Sequence, residues 1–278
     1  MLTRYGKREW LTILAASMAL VVLFVVLEWW WAAAAVVVVT AALLSFFRDP
    51  QRHIPTQRNV MVSPADGRIS AVDEIEYFEP FDEAAVRIRI FLSVLDVHVN
   101  RSPCHAMVEW TRHQPGQHLN ALKAESAEAN ESLTMLLVHP ARRQPLAAVK
   151  QIAGTIARRI VCQVEPGEIL QRGQKYGMIK FGSTTELYLP RSSEPQVRIG
   201  RGQRVYGGST ILAEVRPQTQ AATVGPMATE QQAQVSGSDH VQAQVGAGES
   251  PAPASETSSV EADPELTPAP STSDRAQN

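Results

Sequence analysis

Residues 176–189 read YGMIKFGSTTELYL, and the interpretation of the whole chain starts from this stretch. Two runs with β-strand character meet here at Gly182-Ser183. A Gly-Ser pair is typical of a turn. It also suits self-cleavage, because a serine hydroxyl can attack the preceding carbonyl and glycine leaves that carbonyl uncovered. Such a reaction would divide the chain into residues 1–182 and 183–278.

Two further motifs precede this stretch. SPADGR occupies residues 63–68, and FLSVLDVHVNRSP occupies residues 91–103. Together with the Gly-Ser stretch, and in this order, they resemble the short, membrane-anchored form of the phosphatidylserine decarboxylase family over residues 46–215. The resemblance implies a self-processing carboxy-lyase that converts phosphatidylserine to phosphatidylethanolamine and carbon dioxide. It also implies a covalent pyruvoyl cofactor that forms from Ser183.

The resemblance implies roles for three residues. Ser183 would become the pyruvoyl group, Asp66 matches the aspartate assigned to self-cleavage, and His98 matches the first histidine of the family's histidine motif. Serine needs a base, and imidazole titrates in the right range, so His98 is the candidate base and Asp66 would orient it or stabilise its charge. Longer members have a second histidine where this chain has Arg101, which leaves open whether His98 serves both steps.

In the implied reaction the substrate amine forms a Schiff base with the pyruvoyl group, which accepts the electron pair released with carbon dioxide. His98 would then protonate the α-carbon. Arg101, Lys180 and Arg191 are candidates for binding the substrate phosphate or carboxylate, although a solvated surface charge is the favoured interpretation of each. Asn130 lies in an Asn-Glu pair that resembles an element of the family.

Neither a metal nor a diffusible cofactor is required by this chemistry. The two cysteines, Cys104 and Cys162, have no partner at the spacing of a metal site, and we interpret them as buried thiols in a reducing compartment.

The first 47 residues have the composition of a membrane anchor. Residues 11–27 and 32–47 are apolar, and Glu28 with three tryptophans separates them. One continuous helix over residues 11–47 would be about 55 Å long, well beyond a hydrocarbon core of about 30 Å. Two membrane segments are therefore predicted, with one span plus an interfacial helix as the alternative. Basic residues before and after the pair place both ends, and the domain that follows, on the cytoplasmic side of the cell membrane.

Residues 48–216 are predicted to form the decarboxylase domain, with an α+β, β-rich fold. Short alternating runs such as residues 86–91 are separated by glycine-containing turns, as in antiparallel hairpins of a small barrel or sandwich. Residues 118–133 predict a helix or a loop over the site. Residues 217–278 have no aromatic residue and eight acidic residues against one arginine, which predicts a disordered acidic tail. The remaining chain has a net charge of +5, which suits an anionic lipid surface.

The predicted partners are phosphatidylserine in the membrane and the two cleavage products, held together as a heterodimer of a large and a small subunit. A further oligomer is left open, and no nucleic-acid partner is expected. The alternative hypothesis is a membrane-tethered biotinyl or lipoyl carrier, or a structural module without catalysis. A carrier would present Lys180 at an exposed hairpin tip, but it has no use for Gly182-Ser183. An inactive homologue would be expected to lack Asp66, His98 or Ser183.

Overall fold

The computed structural model of the chain describes residues 1–117, 129–154, 159–180 and 183–216. Within them, two α-helices precede fourteen β-strands. The helices are α1 (Lys7–Val26) and α2 (Trp30–Phe46). The strands are β1 (Val60–Val62), β2 (Gly67–Phe78), β3 (Glu83–Leu92), β4 (Val99–Arg101), β5 (Ala106–Gln114), β6 (Ser132–Val138), β7 (Pro145–Ile152), β8 (Ile160–Cys162), β9 (Ile169–Leu170), β10 (Lys175–Ile179), β11 (Ser183–Pro190), β12 (Gln196–Val197), β13 (Arg204–Val205) and β14 (Ile211–Glu214).

The two helices form an antiparallel hairpin. The chain reverses at Glu28, whose φ of 60° is incompatible with continuing α1. Thr40 of α2 donates a 2.7 Å hydrogen bond to the hydroxyl of Ser17 in α1. At the other end Leu2 pairs with Arg48, so both ends of the hairpin leave on the same side. The segment Arg4–Val26 is long and apolar enough to cross a membrane, whereas α2 is apolar but has only 17 residues.

The strands form three antiparallel sheets in the described part of the chain. The largest has eight strands in the order β13-β2-β3-β11-β7-β6-β5-β9, and the others are β1-β14-β12 and β4-β10-β8. The predicted alternation over residues 86–91 is confirmed, because Ile88 and Ile90 of β3 are fully buried while Arg87 and Arg89, on the opposite face of the sheet, are partly exposed. The β-rich antiparallel fold after helical N-terminal segments is thus as the sequence indicated.

The base of the helical hairpin packs against the small sheet that contains β4 and β10. Asp49, just after α2, binds Arg101 of β4 at 3.1 Å and Lys175 of β10 at 2.5 Å. A buried apolar cluster lies beside these ion pairs: Tyr5, Phe46, Phe47, Val97, Val99 and Met178. The helical hairpin is therefore fixed to the part of the domain that carries the histidine motif.

Three features predicted from the sequence fall largely or wholly outside the described residues. They are the helix or loop at 118–133, most of which is in residues 118–128, the glycine of the cleavage pair, Gly182, and the acidic tail at 217–278. These remain predictions.

Candidate active site

Ser183 is the first residue of β11, where that strand enters the middle of the large sheet. Its backbone pairs with Leu92 of β3, and the residue is fully buried. Within the described ranges its hydroxyl oxygen has no hydrogen-bond partner. A buried hydroxyl without a partner costs about 1–3 kcal/mol. Such a group is uncommon outside functional sites, and this one is the residue that the sequence singled out.

Asp66 lies in the tight turn before β2 and is almost completely buried. One carboxylate oxygen accepts a 2.8 Å hydrogen bond from the backbone N–H of Gly207, and the other binds Arg52 at 2.5 Å. Burial raises the pKa of Asp66, and these two contacts oppose the rise by stabilising the carboxylate. The turn is tight because Gly67 lies against β3: a Cβ at this position would be 2.2 Å from the carbonyl oxygen of Phe91.

His98 is fully buried immediately before β4. Its Nδ1 is 2.8 Å from the backbone carbonyl oxygen of Asp96. A carbonyl only accepts, so Nδ1 carries the proton and Nε2 is the basic nitrogen of the neutral ring. The ring of Phe46 packs against the imidazole with 4.3 Å between ring centres. Burial lowers the pKa of His98 to about 4, so the ring is neutral at physiological pH.

The sheet register brings the Asp66 turn and Ser183 to the same end of the large sheet. Phe91 of β3 pairs with Arg68 of β2 on one side and with Thr184 of β11 on the other. Asp66 directly precedes β2 and Ser183 begins β11, and these two strands flank β3 with their backbones about 10 Å apart. His98 reaches this region through β10, because its carbonyl accepts a 3.2 Å hydrogen bond from Ile179.

A buried amide that the sequence did not single out connects the three segments. Asn100 donates hydrogen bonds to the Thr185 hydroxyl at 3.2 Å and to the Pro64 carbonyl at 3.4 Å, and it accepts one from Gln151 at 2.8 Å. Thr185 is two residues after Ser183, Pro64 is two residues before Asp66, and Asn100 itself is two residues after His98. Its position inside the histidine motif was the only sequence signal for this role.

Three of the candidate substrate-binding residues make internal contacts. The guanidinium of Arg101 binds Asp49 and the carbonyls of Pro50 and Gly173. Burial is the main cause of a lowered pKa for Arg101. Asn130 is fully buried and donates a 2.8 Å hydrogen bond to the carbonyl of Ala153.

Lys180 is also buried, with 6% of its surface exposed, and its ammonium pairs with the carboxylate of Glu9 in the first turn of α1. This position argues against the carrier hypothesis, which needs the lysine at an exposed tip.

Both cysteines are free thiols, and burial raises the pKa of Cys104 to about 12 and that of Cys162 to about 11. Thiols with such pKa values are poor nucleophiles and poor metal ligands at neutral pH. Among the residues that the structure describes, no group of three or more His, Cys, Asp or Glu is placed to hold a metal ion.

Comparison with known proteins gives the family. The family model described as phosphatidylserine decarboxylase matches residues 39–213, more than half of the chain. The chain belongs to the phosphatidylserine decarboxylase family. It is therefore a carboxy-lyase.

Three curated relatives are similar over stretches of comparable length, and each bears the name phosphatidylserine decarboxylase proenzyme. The protein of Carboxydothermus hydrogenoformans is 44% identical over 171 residues, which cover 62% of this chain and 78% of the relative. The protein of Rhodopirellula baltica is 43% identical over 168 residues, which cover 60% of this chain and 69% of the relative. The protein of Burkholderia ambifaria is 45% identical over 174 residues, which cover 62% of this chain and 78% of the relative. The three motifs of this phosphatidylserine decarboxylase family member all lie within the matched residues.

Proposed function

We propose that the chain is a self-processing, pyruvoyl-dependent enzyme that decarboxylates phosphatidylserine to phosphatidylethanolamine. The family supports the reaction, and the names of its relatives support a precursor that is processed. The observation that carries the proposal is the buried hydroxyl of Ser183, which has no hydrogen-bond partner among the described residues. The hydroxyl is kept out of water, and no group in the described part of the chain engages it.

Self-cleavage begins when the hydroxyl oxygen of Ser183 attacks the carbonyl carbon of Gly182. The peptide C–N bond breaks, the amine of Ser183 takes up a proton, and an ester replaces the amide. Removal of the α-proton of Ser183 then expels the Gly182 carboxylate and leaves dehydroalanine. Water hydrolyses this residue to a pyruvoyl group with release of ammonia, so the atoms balance. The products are residues 1–182 and 183–278.

His98 is the base that we assign to the first step. Its depressed pKa keeps the ring neutral, and the Asp96 carbonyl fixes the tautomer in which Nε2 is the basic nitrogen. The same burial makes the protonated ring a strong acid. A proton taken from the incoming substrate amine can therefore be returned to the α-carbon after carbon dioxide leaves. One imidazole can serve both steps, which suits a chain with Arg101 at the position of the second histidine.

Asp66 is assigned to self-cleavage as a carboxylate that acts at the same end of the sheet. Arg52 and the Gly207 N–H hold its two oxygens, so its orientation is fixed. The pyruvoyl group, once formed, supplies an electrophilic carbonyl that binds the substrate amine and accepts the electron pair released with carbon dioxide. The burial of Ser183 and its neighbours fits this group because it excludes the water that would compete for that carbonyl.

We further propose that the domain lies on the cytoplasmic face of the cell membrane. Arg4, Lys7 and Arg8 lie at the start of the hairpin, and Arg48 and Arg52 follow it. Cytoplasmic flanks are enriched in such residues. The two cleavage products stay together as the large and small subunits.

The direct test is mass spectrometry of the purified protein under denaturing conditions. The masses of the wild-type chains are compared with those of the Ser183→Ala and Ser193→Ala variants. Ser193 is a matched control because it is also buried but lies beyond the site, with its hydroxyl bonded to Pro190. We expect two fragments divided before residue 183 in the wild type and in Ser193→Ala, and an intact chain in Ser183→Ala. Borohydride should add two hydrogens to the smaller fragment. An intact wild-type chain would refute self-processing.

A further inference from the structure

A cavity of about 390 Å³ lies where the base of the helical hairpin meets the β domain. Its walls come from the first turns of α1, the residue after α2, and the residue before β8: Arg8, Glu9, Thr12, Ile13, Phe47 and Arg159. The start of α1 and the end of α2 are the ends of the apolar hairpin, which is the depth at which lipid headgroups are found. The cavity has room for a headgroup of a phospholipid.

Two arginines give this cavity its charge. Across residues 1–117, 129–154, 159–180 and 183–216, the guanidinium groups of Arg8 and Arg159 make no hydrogen bond or ion pair, and both residues are exposed. Glu9 is the acidic residue of the wall; it pairs with Lys180 and also interacts electrostatically with Arg159. One carboxylate therefore faces three cationic side chains, and the surplus positive charge of Arg8 and Arg159 suits a phosphodiester, which arginine can bind through paired hydrogen bonds.

The cavity adjoins the segment that carries the reactive serine. The carbonyl of Arg159 accepts a 3.2 Å hydrogen bond from the backbone N–H of Lys180. Lys180 is three residues before Ser183, so chain geometry alone keeps the two Cα atoms within about 11 Å. Phe47 of the wall follows Phe46, whose ring packs on His98. The walls of the cavity therefore belong to segments that adjoin those of both assigned groups.

We propose that this cavity binds the glycerophosphate part of an anionic phospholipid headgroup, with Arg8 and Arg159 on the phosphate. The apolar walls of Ile13 and Phe47 face the glycerol and the first acyl carbons. The inference rests on the proposed function, because it makes this headgroup that of the substrate. It assigns to the membrane anchor a part of the binding site, since Arg8 belongs to α1.

Steady-state kinetics on the mature enzyme test the site with dihexanoyl-phosphatidylserine, a short-chain substrate that needs no bilayer. The variants are Arg8→Gln and Arg159→Gln. Lys7→Gln is the matched control, since it removes an exposed positive charge from the same helical turn without touching the cavity. Loss of one charge-assisted contact should raise KM about tenfold, with kcat within about twofold of the wild type. Lys7→Gln should leave KM unchanged. Equal KM values for all three variants would overturn the assignment.

A binding measurement separates this inference from the proposed reaction. Titration calorimetry of dihexanoyl-phosphatidylserine into the uncleaved Ser183→Ala protein needs no catalysis. We expect about tenfold weaker binding when Arg8→Gln or Arg159→Gln is added, and the outcome is informative even if the wild type releases no carbon dioxide. Unchanged binding in both would refute the site, whatever the fate of the reaction.

Competition identifies the ligand. Glycerophosphoserine, which has the headgroup without acyl chains, should displace the lipid from the Ser183→Ala protein, and inorganic phosphate should do so only at much higher concentration. If inorganic phosphate competes as well as glycerophosphoserine, the cavity is a general anion site and the headgroup assignment fails.

Discussion

The side-chain amide of Asn100 donates a 3.2 Å hydrogen bond to the hydroxyl of Thr185, which joins the segment of His98 to the strand of Ser183. Both partners are buried, and the same amide is bonded to Gln151. This buried side chain therefore helps to set the relative position of the proposed base and the proposed nucleophile, together with the backbone hydrogen bond from Ile179 to His98.

Replacing Asn100 with leucine should slow self-cleavage more than it harms folding. The variant leaves the polar groups of Gln151 and Thr185 without their partner, which should lower the free energy of unfolding by about 1–3 kcal/mol. A time course of precursor conversion after cell-free synthesis, with Gln196→Leu at an exposed amide as control, measures the effect. A conversion rate equal to that of the wild type would show that Asn100 does not position the site.

Gly67→Ala should disturb the Asp66 turn, because the new Cβ would lie 2.2 Å from the Phe91 carbonyl oxygen. Relief of this overlap requires β2 and β3 to separate locally, at a cost of about 1–3 kcal/mol. We expect a lower unfolding temperature and accumulation of the uncleaved precursor. Gly200→Ala is the matched control, since a Cβ there meets nothing within 4 Å. Normal processing of Gly67→Ala would contradict the described packing.

The buried imidazole of His98 should make stability depend on pH. Its pKa falls from the ordinary 6.5 to about 4 on folding, so between these values the unfolded chain binds the extra proton. The stabilisation is present above pH 6.5 and is lost as pH falls toward 4, and it amounts to about 3 kcal/mol.

His98→Gln should flatten this part of the profile, measured as the unfolding temperature of the uncleaved Ser183→Ala protein between pH 4 and pH 7.5. His53→Gln, at an exposed histidine, should keep the wild-type profile. Asp66 opposes the trend because its pKa is raised, so the comparison is made between profiles that share Asp66. Identical profiles for wild type and His98→Gln would refute a buried neutral imidazole.

Glu186 of β11 should be costly to remove. It is fully buried and accepts a 2.7 Å hydrogen bond from Arg89 and a 2.6 Å bond from Tyr188. Glu186→Ala leaves the Arg89 guanidinium with no counter-ion, which should lower the free energy of unfolding by about 3 kcal/mol or more.

The double variant Arg89→Leu/Glu186→Leu should recover most of this loss, since it removes both charges together. The exposed pair of Arg191 and Glu74 supplies the control, and Glu74→Ala should cost less than about 1 kcal/mol. Chemical denaturation of the Ser183→Ala background measures all four proteins. A single-variant cost equal to that of the exposed pair would contradict the burial of this ion pair.

Much of the fold followed from local pattern. The alternation in β3 and the glycine-containing turns around β9 and β13 could be predicted from the sequence, because strand periodicity and turn chemistry act over a few residues. The residues assigned to the reaction came from motifs and resemblance. The orientation of each side chain could not be predicted from the sequence, because Arg52 and Gly207, which hold Asp66, are distant in sequence from one another.

Lys180 shows where sequence reasoning stops. Its charge indicated an ammonium group in contact with solvent or substrate. In the structure its partner is Glu9, 171 residues earlier in the chain. Such a contact depends on how the hairpin docks on the sheet, and no local pattern encodes that docking. Arg101 is a second case, since its partner Asp49 lies just beyond α2.

The position of β11 has a consequence for the lifetime of the molecule. The strand lies inside the large sheet, with eight residue pairs to β3 and five to β7. A break in the backbone before Ser183 would leave these ladders intact, so the shorter piece could leave only by global unfolding. Each molecule would then form its reactive group at residue 183 once and could not regenerate it. Chemical damage at residue 183 would inactivate the protein irreversibly. The cell could restore the activity only by synthesising new protein.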